Sequence, residues 1–121
     1  MAEHSGAGEI LRELWARIDA QDWDGLAALL DPGLQVRYTE TGEVFDADGF
    51  VGVNREYPGR WHADVEDVVG AGERAVSRTR VSDGQQTFHV ASFVTVRGGL
   101  ITNLVEVWSE SGQLPAADRR P

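Results

Sequence analysis

SFVTVRGGLITNLVEVWSE, residues 92–110, holds two runs rich in Val, Ile, Thr and aromatic residues on either side of Gly98-Gly99. A Gly-Gly pair accepts positive φ at both central positions of a tight turn, so the two runs are expected to form one antiparallel hairpin. Upstream, residues 61–69 and 74–82 have the same texture, bounded by Gly70-Ala71-Gly72 and Asp83-Gly84. Strands are therefore expected at 61–69, 74–82, 86–97 and 100–109, joined as an antiparallel meander.

Before Pro58 the periodicity is different. Ile10, Leu11, Leu14, Trp15 and Ile18 recur at helical spacing, giving an amphipathic helix over about residues 8–20. Asp22 suits an N-cap, because its carboxylate can accept a free backbone N–H of the next turn. Trp23, Leu26, Leu29 and Leu30 then form a second short helix, expected to stop at Pro32-Gly33. Leu34, Val36 and Tyr38 alternate with Gln35, Arg37 and Thr39, which is the pattern of a strand. Thr41-Gly42 is a turn and Val44-Phe45 a short return strand. Asp46 or Asp48 caps a third helix that ends before Pro58-Gly59. Helices followed by a meander predict an α+β domain with its helices packed on one sheet face. Residues 111–121, with two prolines and no periodicity, are expected to form a loose tail.

The chain has 121 residues, with 20 Asp+Glu against 11 Lys+Arg, for a formal charge of −9. One domain is the expectation, since about 65% of the unfolded surface can be buried at this length. All the basic residues are arginine, and there is no cysteine, which excludes disulfides, thiolate metal sites and cysteine nucleophiles. The acid excess opposes binding to nucleic acid or to an anionic membrane, so neither partner is expected. Residues 1–58 hold twelve acids and four arginines, and residues 59–121 hold eight and seven. The negative charge thus belongs to the helical half, while the sheet half is nearly neutral. The opening residues lack the features of a signal peptide, and the longest apolar run, Leu26–Leu30, is far too short to span a bilayer. A cytoplasmic location is the expectation.

Glu106 stands out in this neutral half. On its strand it shares a face with Leu104 and Trp108, while Val105 and Val107 share the other. A carboxyl between these neighbours on a covered face would be desolvated and its pKa raised, as suits a general acid or base. The alternative is a glutamate on the open face, or one paired with an arginine. Arg78 and Arg80 share a face with Val76, and either hold a ligand carboxylate bidentately or pair across strands with acids. His89 shares a face with Ala91, Phe93 and Thr95, as a base near neutral pH or as a satisfied structural histidine. His4, His62 and His89 lack ligand spacing, so no metal is expected. Gly6 and Gly8 follow no strand, so no phosphate-cradling loop and no cofactor are expected, and the nucleophile elbow Gly-x-Ser-x-Gly is absent too. Trp15, Trp23, Tyr38, Phe50, Trp61, Phe93 and Trp108 belong to a core or to an aromatic-lined cavity, and Tyr38 can present its hydroxyl inward.

The order of these elements carries a resemblance. ILRELWARIDAQDWDGLAALLDPGLQVRY (residues 10–38) is similar to the opening helix–helix–strand of the SnoaL-like branch of the nuclear transport factor 2-like superfamily. NREYPGRWHADVEDVVGAGERAVSRTRV (residues 54–81) resembles its third helix and long strands, and the hairpin quoted first resembles its ending. The resemblance spans about residues 8–110. It implies a cone-like fold in which a curved, mainly antiparallel sheet wraps three N-terminal helices and encloses a pocket, with homodimers formed through the sheet. It also implies a small-molecule ligand, with Glu106 facing the interior. The tyrosine and two acids of the steroid-isomerase members are not matched, because Leu14, Tyr38 and Ala91 stand near their places. The paired polar residues of the epoxide-hydrolase members are not identifiable either. Two functions remain open from the sequence. One is a cofactor-free isomerase, hydrolase or cyclase acting on a small apolar carbonyl or epoxide compound. There Glu106 would be the acid/base, His89 or Tyr38 would polarise the substrate, and Arg78 would orient it. The other is a non-catalytic binding or dimerisation module.

Overall fold

Helix α1 (Ala7–Asp19) buries Ala7, Ile10, Leu11, Leu14 and Trp15 along one face and leaves Arg12 and Ala16 in solvent. The computed structural model describes residues 6–112, and most of the expected loose tail lies outside them. Leu11 and Leu14 are fully buried, and each contributes about 2 kcal/mol of burial energy. Leu14→Ala would therefore cost about 2–5 kcal/mol once its cavity is counted. The helix ends in a Schellman motif. The Gln21 N–H donates to the Ile18 carbonyl at 3.0 Å, and the Asp22 N–H donates to the Arg17 carbonyl at 2.9 Å. Gln21 itself adopts φ 57°, a conformation that glycine takes more easily.

Asp22 then caps α2 (Trp23–Ala27), accepting from the Gly25 N–H at 3.0 Å and from Arg17 Nη1 at 2.8 Å. Helix α2 is shorter than its sequence suggests, because Leu30 belongs to strand β1 (Leu30–Tyr38) rather than to the helix. The Ile101 N–H donates to the Leu29 carbonyl at 2.8 Å, so sheet pairing begins ahead of Pro32-Gly33. The register slips between Leu30 and Gln35, and this irregularity accommodates a proline that cannot donate to the ladder. Strand β2 (Val44–Phe45) folds back on β1, and Asp46 caps α3 (Ala47–Glu56) by accepting from the Gly49 N–H at 2.8 Å.

The meander follows as β3 (His62–Ala71), β4 (Arg74–Ser82), β5 (Thr87–Arg97) and β6 (Leu100–Glu110), each within two residues of its expected bounds. The six strands lie in the order β2-β1-β6-β5-β4-β3, and β1 and β6 form the one parallel pair. Helix α1 covers β3 and β4, α3 packs on β1, and α2 lies between the two helices. The concave face carries the core, including Val36, Val90, Val94, Ile101 and Leu104. The convex face leaves Val69, Phe93 and Val107 exposed. A bulge at Glu66, between the Val65–Thr79 and Asp67–Arg78 pairs, resets the alternation of β3 so that Val65 and Val68 both turn inward.

Candidate functional site

Four polar residues stand side by side on the concave face, one from each of four adjacent strands. Ser77 of β4 pairs with Ser92 of β5, Ser92 with Glu106 of β6, and Glu106 with Tyr38 of β1. Ser77, Ser92 and Glu106 are each at most 2% exposed, beneath the helices. Glu106 Oε1 accepts from Trp108 Nε1 at 3.0 Å, and Oε2 accepts from Ser92 Oγ at 3.4 Å. Both donors are neutral. Burial pushes the Glu106 carboxyl up to about 7, against the pull of these two hydrogen bonds. Tyr38 is held above its ordinary value by burial and then by Glu106, Glu43 and Glu40, so its phenol keeps its proton. The hydroxyls of Ser77 and Thr79 and the Trp15 Nε1–H are buried with no hydrogen-bond partner among the described residues.

Beside this row lies a cavity of about 430 Å³, between α1, the chain around α2 and α3, and the sheet. Its walls take eight of the ten aromatic residues: all four tryptophans, both tyrosines, Phe45 and Phe88. Seven of these rings form one connected chain. Tyr57 meets Trp61 at 5.7 Å between centroids, Trp61 meets Phe88 at 5.8 Å, and Phe88 meets Trp108 at 6.2 Å. Trp108 then contacts both Trp15 and Tyr38 at 6.4 Å, and Tyr38 contacts Phe45 at 5.0 Å. The rim is polar, with Gln21, Glu40, Thr41 and Glu43 exposed there. Glu40 is tied to the wall, since its Oε1 accepts from the Trp108 backbone N–H at 3.3 Å.

Of the residues singled out in the sequence, Tyr38, Trp15, Trp61 and Trp108 line this cavity. Glu106 is on the expected face but sits behind the Trp108 indole and does not reach the cavity surface. The other three lie on the opposite side of the sheet. Arg78 is exposed and donates to Glu66 Oε1 at 3.1 Å, which holds the Glu66 carboxyl below its ordinary range. His89 Nε2 stands 3.4 Å from the same oxygen, and its Nδ1 is hydrogen-bonded to Ser111. Phe93 is 40% exposed on that convex face. Neither arginine nor histidine can therefore meet a substrate beside Glu106. The reason is phase: on β5 the inward row is Phe88, Val90, Ser92, Val94 and Val96, and on β4 it is Ala75, Ser77, Thr79 and Val81.

Trp23, one of the four tryptophans expected in a core or cavity wall, lines the cavity as well, and Phe45, Tyr57, Phe88, Glu40 and Glu43 belong to the site without having been singled out. Phe88 was legible, because it heads the β5 row that carries three valines. Tyr57 and the two glutamates come from loops, where no periodicity points to a cavity. Among the described residues, no group of three or more His, Asp or Glu could hold a metal ion, and no helix is long and apolar enough to cross a membrane.

A curved six-stranded sheet packed on three helices, with the aromatic cavity between them, is the cone arrangement that the resemblance implies. The SnoaL-like domain profile matches residues 11–104. The chain belongs to this family. Solved structures agree with that fold. A candidate ketosteroid isomerase from Kribbella flavida matches at a TM-score of 0.83 and 22% identity, covering 95% of this chain and 90% of its own. An NTF-2 like protein of unknown function from Burkholderia xenovorans matches at 0.79 and 19%, covering 88% and 85%. An LEH-like epoxide hydrolase from M. tuberculosis matches at 0.71 and 15%, covering 85% and 82%. No curated protein matches in sequence. At these identities the SnoaL-like fold is shared, and the chemistry has to be argued from the side chains.

Proposed function

We propose that this SnoaL-like chain binds a small, mostly apolar molecule in the aromatic cavity. The observation that carries the reading is the gathering of eight of ten aromatic residues around one cavity. Ligand sites combine such walls with a few polar groups, in volumes of about 300–1,000 Å³. The Tyr38 phenol is a donor available to an oxygen of the guest, which suits a carbonyl compound or an epoxide. Binding is tested by thermal unfolding across a library of small apolar carbonyl compounds and epoxides. A ligand held only by the folded chain raises the melting temperature with concentration. A flat response across the library would contradict the reading.

Catalysis is the second reading, and the Glu106 carboxyl favours it. With a pKa near 7, this group gives or takes a proton easily at neutral pH. A cofactor-free isomerase, hydrolase or cyclase would use Glu106 as the acid/base and Tyr38 to polarise the substrate oxygen. Proton transfer would require the Trp108 indole to swing away from Oε1. Similar structures named as a candidate ketosteroid isomerase and an epoxide hydrolase make such chemistry reasonable on this fold. Turnover of a bound compound that survives Glu106→Gln would contradict this role.

We also propose that the convex face meets a second copy of the chain. Val76, Phe93 and Val105 lie in register across β4, β5 and β6, and Val107 follows two residues on. Sedimentation equilibrium should give a dimer that Phe93→Arg converts to monomer, whereas a monomeric parent chain would contradict it.

A further inference from the structure

The cavity wall is unbalanced in charge. Glu40 and Glu43 stand on the rim and Glu106 lies beneath Trp108, while the lining contains no arginine or histidine among the described residues. This is notable in a chain with eleven arginines. Arg60, between the lining residues Gly59 and Trp61, is exposed and donates to the Trp61 carbonyl at 3.1 Å without itself lining the cavity. The other nearby ones are held by acids or point away. Arg17 binds Glu13 and Asp22, Arg55 binds Glu56, and Arg78 binds Glu66 on the convex face. Arg37 alternates away from Tyr38 and is exposed.

We infer that the cavity takes a ligand carrying a positively charged amine, seated among the aromatic rings with Glu40 and Glu43 beside it. This deepens the small-molecule reading above and rests on it. The physical case has two parts. A cation within about 6 Å of a ring centroid is attracted by the negative face of the ring, by roughly 0.5–2 kcal/mol depending on desolvation. Trp15, Tyr38, Trp61, Phe88 and Trp108 supply such rings in one connected wall. The second part is the sign of the field. Rim carboxylates with no counter-cation in the wall among the described residues favour an ammonium and repel a carboxylate or phosphate. A neutral apolar guest would fill the same volume, yet would leave the charge of Glu40 and Glu43 unused.

The charge assignment is tested with two probes of one shape, phenyltrimethylammonium and tert-butylbenzene. All four tryptophans line the cavity, so tryptophan fluorescence reports occupancy directly. At low salt, phenyltrimethylammonium is expected to bind about tenfold more tightly than tert-butylbenzene. In the double variant Glu40→Gln/Glu43→Gln that ratio should fall by at least about threefold, with tert-butylbenzene affinity unchanged. Both substitutions are on exposed side chains, so folding is retained. Equal or tighter binding of tert-butylbenzene would overturn the cationic assignment and leave the small-molecule reading standing. A ratio unmoved by the double variant would also overturn it, since the glutamates would then not set the preference. Binding of neither probe would overturn both.

Discussion

The Trp108 indole N–H donates to Glu106 Oε1 at 3.0 Å, two residues away on the same face of β6. The tryptophan thereby does two things: it forms part of the cavity wall and it satisfies a carboxyl that has no cationic partner. Trp108→Phe keeps most of the wall and removes the donor. The ionised carboxyl loses more than the protonated one, so its pKa rises above about 7. The expected loss is about 1–3 kcal/mol at pH 8 and distinctly less at pH 5.5, read by urea unfolding. Equal losses at the two pH values would show that the indole only fills space.

Glu106 also fixes the direction of a pH effect. Its folded pKa is raised from 4.5 to about 7, so between these values the folded chain binds more protons than the unfolded one. Its contribution to stability therefore declines as pH rises through that window. Glu106→Gln removes the titration while retaining an oxygen acceptor for Trp108. The variant should gain on the parent chain by up to about 3 kcal/mol between pH 4.5 and pH 8. The comparison cancels groups that act oppositely, such as Asp22, whose carboxyl is held low by the Gly25 N–H and Arg17. A pH-independent difference between the two proteins would refute the burial of an ionisable carboxyl.

Gln21, at φ 57°, occupies the left-handed position of the α1 Schellman motif and also lines the cavity. Gln21→Gly relieves the backbone and should stabilise the chain by about 0.5–1 kcal/mol in thermal or urea unfolding. Loss of stability would mean that the Gln21 side chain makes a compensating contact.

Arg78 and His89 stand on the convex face around Glu66. Arg78→Ala and His89→Ala should leave the affinity for any cavity ligand within about twofold, because neither side chain reaches the wall. A tenfold loss in either variant, measured by tryptophan fluorescence, would place the ligand on the wrong side of the sheet.

The fold was legible because its signals are local. Helical spacing in Ile10–Ile18, the Asp22 and Asp46 caps, and the Asp83-Gly84 and Gly98-Gly99 turns each act within a few residues. Glu106 was legible for a related reason, since only one row of β6 joins Leu104 to Trp108. The rest depended on long-range choices. On β4 both rows mix polar and apolar residues, so only the tertiary fold turns Ser77 and Thr79 inward and Arg78 and Arg80 outward. On β5 the polar His89 belongs to the outward row with Phe93, while the inward row offers only Ser92 as a polar residue. Pro32-Gly33 resembled a helix stop, but β6 had already captured the chain at Leu29. The transverse row Ser77–Ser92–Glu106–Tyr38 depends on the registers of three strand pairs, which no single segment encodes.

The claim that the aromatic cavity is the binding site is tested most directly by NMR on the ¹⁵N-labelled chain. Each of the four tryptophans contributes one indole N–H signal, and all four side chains line the cavity. The titrant is the compound that raises the melting temperature most. The indole signals of Trp15, Trp23, Trp61 and Trp108 should shift together and saturably, while the backbone amides of Val69, Phe93 and Val107 stay still. Movement of those convex-face amides with unchanged indoles would contradict the account.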